Sequence, residues 1–298
     1  MHADDHPVTA DQVARLLAQQ FPEHTGAPVR PVEEFGTDHC LFRVGEHLVA
    51  RMPRVSWAAE QAQRDATWLP LIARHLDVAV PVPLALGEPD AEYPFAWSLV
   101  PWMPGSTPDR VSDLDAVRFA QDLGRTVVAL RDVPTDGGPA KQPGERGSSL
   151  AHWDDDVEAA ITAAGDRIDG ARARRAWAHC READEHTGPP SWLHADLMLG
   201  NLLVDDGRLS AVIDWGGLGV GELAPDLLPY WTSLPWEEPR ARAAFREVVG
   251  GDEAMWRRGR GWALGPALTG IPYYWESVPA FAERGRRTLA RVLEDLGL

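Results

Sequence analysis

The stretch from Trp192 to Trp215 constrains the fold of this chain more than any other part of its sequence. It contains two short apolar runs, Leu202 to Val204 and Leu209 to Ile213, which are joined by the letters D-D-G-R. An Asp-Gly pair between two apolar, β-branched runs is typical of a tight turn between antiparallel strands. The stretch therefore predicts a β-hairpin.

Polar side chains flank the open end of this predicted hairpin. Asn201 comes just before the first strand, Asp214 just after the second, and Asp196 lies on the loop that leads in. Because a hairpin brings its two outer ends together, we expect these three side chains to lie near one another. Mg²⁺ prefers a few protein oxygens and takes its remaining ligands from water and substrate phosphates. Together the three side chains are therefore a candidate site for a hard cation.

The letters around these residues carry a family resemblance. H-A-D-L-M-L-G-N, from His194 to Asn201, and D-W-G, from Asp214, resemble the catalytic and metal-binding motifs of protein kinases, with Ala195 for the usual Arg and Trp215 for the usual Phe. With the hairpin and the following G-V-G-E-L-A-P-D-L segment, they resemble the aminoglycoside phosphotransferase family of small-molecule kinases. The likeness runs from about residue 30 to the C-terminus. The spacing of the motifs, their order and the strands around them all agree with the family pattern.

The resemblance implies an α+β fold of the bilobal, protein-kinase-like type. Residues 1–102 would form a small, β-rich, nucleotide-binding lobe, and residues 103–298 a larger, mostly helical lobe that carries catalysis and acceptor binding. Within the second lobe, the apolar spacing from Asp113 to Arg131 predicts a core helix. Residues 132–149 are rich in Pro, Gly and Ser, which predicts a flexible loop.

The resemblance also assigns nucleotide-binding residues to the first lobe. Phe35 to His39, including Gly36 and Thr37, takes the place of the loop that covers the phosphates, and Arg51 that of the phosphate-binding cation. Only Gly36 remains of the usual glycines, and Arg replaces the usual Lys, although a guanidinium also binds phosphate. Similar L-V-A-R-M-P strings are familiar from actinobacterial-type members, so we expect an active enzyme.

A helix predicted from about Ser56 to Leu69 should supply the carboxylate that pairs with Arg51. Asp65 falls within the apolar stripe of this helix, where a buried carboxylate needs a partner. Glu60 lies on the polar side, roughly 140° away by helix geometry. Asp65 is the predicted partner and Glu60 the alternative. Pro70 is expected to interrupt the helix or to start another turn.

The remaining site roles also follow from the resemblance. The segment Ser98, Val100 and Trp102 would be the hinge whose backbone groups bind the edge of adenine or guanine, so the nucleotide is ATP or GTP. Asp196 would be the catalytic base, Asn201 and Asp214 would be the Mg²⁺ ligands, and Asp226 would brace the catalytic loop. Trp231, Trp236, Trp256 and other C-terminal aromatics are candidates for the acceptor pocket, although each is more often a core residue.

Composition limits the partners. Lys and Arg number 29 against 45 Asp and Glu, a formal net charge of −16, so a nucleic acid is an unfavourable partner and a cationic small molecule a permitted one. No run of about 18 apolar residues is present, so we expect no membrane association. Two cysteines, Cys40 and Cys180, fit a reducing compartment, and a cytoplasmic location is expected.

The predicted function is transfer of the γ-phosphoryl group of ATP or GTP to a hydroxyl of a small molecule, with an antibiotic such as an aminoglycoside or a macrolide as the leading acceptor. The alternatives are a kinase of a metabolite such as choline, homoserine or a sugar, and a catalytically silent nucleotide- or ligand-binding protein. The presence of Asp196, Asn201 and Asp214 together favours an enzyme.

Overall fold

The computed structural model describes residues 6–32 and 38–298, which fall into two compact units. The first unit comprises the described residues up to Arg74 together with Ala79–Pro104, and the second comprises His75–Val78 and Gly105–Leu298. The sequence-based division into residues 1–102 and 103–298 stays a prediction about lobes. No helix in the described part of the chain is long and apolar enough to cross a membrane.

The first unit is built on an antiparallel sheet of five strands in the order β1-β2-β3-β5-β4. Its elements are α1 (Ala10–Gln20), β1 (Val29–Pro31), β2 (His39–Val44), β3 (Leu48–Pro53), α2 (Gln61–Ala73), β4 (Ala85–Gly87) and β5 (Trp97–Pro101). Thr9 is the N-cap of helix α1, and its hydroxyl accepts a hydrogen bond from the Gln12 amide. The apolar face of α1 joins β2, β3 and β5 in a core that includes Leu16, Phe42 and Trp97.

Helix α2 departs from the sequence-based expectation at Pro70. A short 3-10 turn occupies Ser56–Ala58, and the helix then continues through Pro70 to Ala73. A proline inside a helix loses one backbone hydrogen bond and is usually disruptive. Here Leu69 and Ile72, on either side of it, are completely buried, so their burial offsets the lost bond. The expected interruption at Pro70 was wrong.

The second unit is mostly helical and holds two small sheets. Its helices are α3 (Ala116–Arg131), α4 (Asp154–Ala164), α5 (Gly170–Arg181), α6 (Pro229–Thr232), α7 (Pro239–Val249), α8 (Glu253–Tyr274) and α9 (Pro279–Asp295). The strands are β6 (Ser191–Leu193), β7 (Leu202–Asp205), β8 (Arg208–Val212) and β9 (Gly219–Gly221), paired as β6–β9 and β7–β8. The predicted core helix is present as α3, capped by Asp115.

Helix α8 is the central element of the second unit and packs against α4, α5 and α9. Glycines in it and in α9 allow close approach of the helices. A Cβ added at Gly285 of α9 would lie 2.7 Å from the Ala267 carbonyl oxygen of α8. By contrast, a Cβ at Gly270 of α8 would meet nothing nearer than a Tyr274 ring carbon at 3.7 Å.

These two glycines give a matched stability test. Gly285→Ala should lower the free energy of unfolding by about 1–3 kcal/mol, because backbone atoms of α8 and α9 must move apart to admit the methyl group. Gly270→Ala should raise it by up to about 1 kcal/mol, since alanine is the better helix former and space is available. Thermal and urea unfolding of both variants would check this. Equal effects of the two changes would contradict the close packing of α8 on α9.

Candidate active site

The hairpin of β7 and β8 brings two of the predicted residues to one mouth. Leu202 pairs with Val212, and the turn residues Asp206 and Gly207 both have positive φ, as a tight two-residue turn requires. The ladder extends one step beyond the strands, because the Ile213 amide donates to the Asn201 carbonyl at 2.9 Å. Asn201 therefore lies beside the residue that precedes Asp214.

The loop that carries Asp196 is held in an uncommon backbone conformation. Ala195 has φ +66°, in the left-handed region that a residue with a Cβ rarely adopts. Its amide donates to Asp226 Oδ1 at 2.6 Å, and the His194 amide donates to Asp226 Oδ2 at 2.8 Å. The Asp226 side chain is completely buried, and burial raises the pKa of its carboxyl to about 7. Asp226 thus braces the loop.

His194 is a buried, neutral side chain that joins the two motif loops. One ring nitrogen, Nε2, lies 3.1 Å from the Ile213 carbonyl oxygen, which can only accept a hydrogen bond. The other, Nδ1, accepts the Asp196 amide at 3.2 Å. Both nitrogens are satisfied only in the neutral Nε2–H tautomer. Burial lowers the pKa of His194, which agrees with this assignment, and the ring packs on Trp215 at a centroid distance of 4.6 Å.

Asp196 and Asn201 are in direct contact. The Asn201 amide nitrogen donates to the Asp196 carbonyl oxygen at 2.8 Å and to the Asp196 carboxylate Oδ2 at 3.1 Å. Since both of these partners can only accept, the nitrogen of the Asn201 amide is fixed toward Asp196 and its oxygen toward the other side. A hard cation needs that oxygen as a ligand.

Asp214 has a left-handed backbone, φ +59° and ψ +69°, directly after the residue that contacts Asn201 and His194. The Asp214 carboxylate and the Asn201 amide oxygen would together be a small ligand set of the kind that Mg²⁺ completes with water and phosphate oxygens. Within residues 6–32 and 38–298, no group of three or more His, Cys, Asp or Glu side chains is arranged to hold a metal ion. The residues present fit Mg²⁺ bound together with a nucleotide better than a metal held by protein alone.

Arg146 is a site residue that the sequence analysis missed. Its Nη1 forms an ion pair with Asp196 Oδ1 and donates to the Ala195 carbonyl oxygen at 3.0 Å. It belongs to residues 132–149, for which a flexible loop was expected, and it is 50 positions from Asp196. No local pattern marks it, because the contact depends on how this segment packs against β9.

Within the first unit, the predicted cation and its acid are paired. Arg51 on β3 donates to Asp65 on α2 at 3.0 Å, and their side chains are 10% and 2% exposed. Gln61 Nε2 lies 3.5 Å from the same carboxylate oxygen, and Glu60 is exposed. His39, on the neighbouring strand, is also buried. Burial and the nearby Arg51 charge lower the pKa of His39, so it is neutral at physiological pH.

The structure describes only some of the other residues that were predicted to bind the nucleotide. Gly36 and Thr37 lie outside the described residues. Ser98 and Val100 pair with Arg51 and Val49 of β3, and the Trp102 amide donates to the His47 carbonyl at 2.7 Å. Backbone groups alternate in direction along an antiparallel strand, so those of Ser98, Val100 and Trp102 all point toward β3. Their roles stay predictions, and alternation along the strand turns the Pro101 carbonyl toward the opposite edge.

An α+β chain that carries these two motif loops on one hairpin is of the kinase-like phosphotransferase class. A sequence model of the phosphotransferase enzyme family matches residues 32–262, so the chain belongs to that family, as the resemblance predicted. The predicted enzyme class, a nucleotide-dependent small-molecule phosphotransferase, is confirmed at this level. A comparison with curated protein sequences returns no match.

Solved structures agree with the fold. The GDP complex of a variant of an aminoglycoside 2'-phosphotransferase-IIIa has a TM-score of 0.75 and 15% identity, over 96% of this chain and 98% of that one. Macrolide 2'-phosphotransferase MphH from Brachybacterium faecium, without ligand, has a TM-score of 0.60 and 25% identity, over 95% and 98%. ADP-bound aminoglycoside phosphotransferase APH(2'')-Ib has a TM-score of 0.61 and 15% sequence identity, over 95% of this chain and 98% of that one. The predicted α+β, kinase-like fold class is confirmed.

The brace at Asp226 makes a testable prediction. In Asp226→Asn the amide nitrogen cannot accept a hydrogen bond, so the His194 or the Ala195 amide loses its acceptor. The free energy of unfolding should fall by about 1–3 kcal/mol, the usual effect of leaving a buried donor unsatisfied. Phosphoryl transfer should fall with it, because the same loop carries Asp196. The exposed Asp205→Asn is the control.

The pH dependence of this effect has a defined sign. The folded-state pKa of Asp226, about 7, lies above its ordinary value of 3.8, so folding favours the protonated form. The contribution is complete below about pH 4 and is lost as pH rises through about 7. Urea unfolding should show a larger stability difference between wild type and Asp226→Asn at pH 5 than at pH 8. A difference that grows with pH would show that the carboxyl is ionised when folded.

Proposed function

We propose that the protein transfers the γ-phosphoryl group of ATP or GTP to a hydroxyl group of a small-molecule antibiotic, an aminoglycoside or a macrolide. The observation that carries this proposal is the contact of Asp196 with Asn201, beside Asp214, at the hairpin mouth. A base, an amide oxygen and a second carboxylate are the three groups that kinase-like phosphoryl transfer requires. The similarity to aminoglycoside and macrolide phosphotransferases supports the acceptor class.

Each residue has a defined role in the proposed reaction. Asp196 orients the acceptor hydroxyl and takes its proton. The hydroxyl oxygen forms a bond to the γ-phosphorus while the bond from that phosphorus to the β,γ-bridging oxygen breaks, and the nucleoside diphosphate leaves. Asn201 and Asp214 would hold Mg²⁺, which neutralises phosphate charge when bound. Arg51, held by Asp65, would bind the nucleotide phosphates.

The nucleotide base would be recognised by backbone groups at the end of β5. Because the Trp102 amide already donates to His47, we propose that the Pro101 carbonyl, on the opposite strand edge, and the Met103 amide, two residues further on, bind the base. Strand β4 begins at Ala85, which pairs with Leu99, so within the described residues no strand covers the edge from Pro101 onward. A backbone edge of this kind accepts adenine or guanine.

The C-terminal aromatic residues contribute less to acceptor binding than their number indicates. Trp231, Trp256 and Trp262 are almost completely buried. Trp236, which is partly exposed, has the Arg242 guanidinium 3.9 Å above its ring. A cationic acceptor therefore finds that aromatic face already occupied by a cation of the protein.

An acceptor panel tests the proposal. Purified protein, Mg²⁺ and γ-labelled ATP or GTP are incubated with kanamycin, gentamicin, streptomycin, a macrolide, choline, homoserine and hexoses, with Asp196→Ala in parallel. Label transfer to an antibiotic that falls by about 100-fold in the variant is the expected result. Transfer to choline, homoserine or a sugar would replace the antibiotic assignment with a metabolite kinase. Nucleotide binding without any transfer would make the protein a silent binder.

The relative importance of the two carboxylates is a separate prediction. The transition state of phosphoryl transfer is loose, so charge neutralisation supplies more of the rate than the base does. Asp196→Ala should reduce kcat by about 100-fold, at the low end for a general base. Asp214→Ala should reduce it further at saturating Mg²⁺, because the phosphate charge is then less neutralised. Asp205→Ala, an exposed carboxylate at the other end of the hairpin, is the control. The reverse order would refute the metal assignment.

A further inference from the structure

Residues 139–147 form an ordered segment against β9, although they contain no helix or strand. The Val220 amide donates to the Pro139 carbonyl at 2.8 Å, and the Lys141 amide donates to the Val220 carbonyl at 2.9 Å. At the other end of the segment, the Glu222 amide donates to the Gly147 carbonyl at 2.9 Å. Backbone bonds at both ends fix this segment beside the strand that follows the D-W-G loop.

Lys141, the single lysine of the chain, ties the segment to that loop. Its Nζ donates to the Gly217 carbonyl oxygen at 2.6 Å. The side chain reaches this oxygen by crossing β9 where the strand has glycine. A Cβ at Gly219 would lie 2.8 Å from Lys141 Cε, and one at Gly221 would lie 2.9 Å from Lys141 Cγ. The glycine run therefore provides the space that the lysine side chain occupies.

Arg146, on the same segment, reaches the other motif loop. Its Nη1 contacts both the Ala195 carbonyl oxygen and the carboxylate Oδ1 of Asp196. The second carboxylate oxygen, Oδ2, accepts a hydrogen bond from Asn201. The terminal torsion of an aspartate is intrinsically broad, so a carboxylate takes one orientation only when its oxygens have fixed partners. Arg146 and Asn201 are those partners for Asp196.

We propose that Arg146 is a positioning residue for phosphoryl transfer, which holds the Asp196 carboxylate and the Ala195 peptide in the orientation that receives the acceptor hydroxyl. This proposal rests on the proposed role of Asp196 as the base. The segment of residues 139–147 supplies the rigid support, because Lys141 and the backbone bonds to β9 fix the origin of the Arg146 side chain.

The alternative is that the ion pair serves only folding. The Arg146 and Asp196 side chains are 31% and 33% exposed, and ion pairs with this degree of exposure contribute little to stability. Loss of Arg146 should therefore leave the melting temperature close to that of wild type. The proposal predicts instead a catalytic defect, so stability and kinetics separate the two explanations.

The kinetic test uses Arg146→Ala and Arg146→Lys, with Arg174→Ala as the matched control. Arg174 pairs with Glu158 at an exposed position away from the motif loops. Rates are measured with γ-labelled ATP and GTP and the acceptor panel above, or with water as acceptor when no panel member is labelled. Arg146→Ala should lower kcat by about 10- to 100-fold, since a displacement of roughly 1 Å can have an effect of that size. The nucleotide KM should change less than about twofold. Arg146 contacts the proposed catalytic base, Asp196, and its loss leaves the binding of the nucleotide in the ground state unchanged.

Arg146→Lys should recover most of the rate. A single nitrogen, Nη1, makes both contacts of Arg146, and an ammonium can donate to the same two oxygens. In an Asp196→Ala background, Arg146→Ala should have no further effect, because the group it positions is absent. A further loss in that background, unchanged kcat in Arg146→Ala, or unfolding of both the Ala and Lys variants would overturn the proposal.

Hydrogen exchange gives a readout that needs no turnover. The Met198 amide bonds to the Asp196 carbonyl at 2.7 Å and the Asn201 amide to the Met198 carbonyl at 2.9 Å, so exchange over residues 194–201 reports the order of the loop. Exchange there should be faster in Arg146→Ala and restored in Arg146→Lys, and unchanged exchange would count against the proposal.

Full activity of Asp196→Ala would instead refute the proposed function. An inactive Asp196→Ala beside a fully active Arg146→Ala would refute only the role of Arg146.

Discussion

The site depends on one buried carboxylate, Asp226, that accepts the amides of two consecutive residues. A left-handed conformation is unfavourable for a residue with a Cβ by roughly 1–2 kcal/mol, and Ala195 adopts it. An intramolecular hydrogen bond contributes a net of about 0.5–1.5 kcal/mol, so the two bonds to Asp226 are together large enough to offset this strain. The turn of the backbone at Ala195 is what lets the His194 ring point toward Ile213 while the next residue, Asp196, faces Asn201. Without the Asp226 carboxyl, the turn at Ala195 that allows both orientations would lose two of its hydrogen bonds.

An ion pair joins two of the site residues in each unit. Arg51 is paired with Asp65 in the first unit, and Arg146 with Asp196 in the second. The two pairs differ in burial, and this difference indicates different roles. A nearly completely buried pair such as Arg51 and Asp65 is strongly unfavourable to break, so its geometry is fixed by the fold. The pair at Asp196 is about one-third exposed, so its loss should have a smaller effect on stability than loss of the buried pair.

The parts of this structure that could be predicted from the sequence are those determined by local chemistry. The Asp206-Gly207 turn fixes the β7–β8 hairpin, and the hairpin register alone places Asn201 beside the residue before Asp214. Asp65 could be identified because its position on the apolar face of α2 left a carboxylate in need of a cation. Pro70 was misjudged because burial of Leu69 and Ile72, a tertiary effect, outweighs the local penalty of proline.

Arg146 and Lys141 could not be found in this way, because their roles arise from packing between segments far apart in the chain. The Gly-x-Gly run at 219–221 is a local sequence feature that reflects this packing. A glycine-rich loop after a strand usually indicates close approach of a phosphate, and the spacing here does not fit that interpretation. Because Gly219 and Gly221 have no side chains, they make room for Lys141, whose ammonium donates a hydrogen bond to the Gly217 carbonyl oxygen. The glycines that follow Asp214 thus admit a cation of the protein itself, and the segment that carries it brings Arg146 to the Asp196 carboxylate.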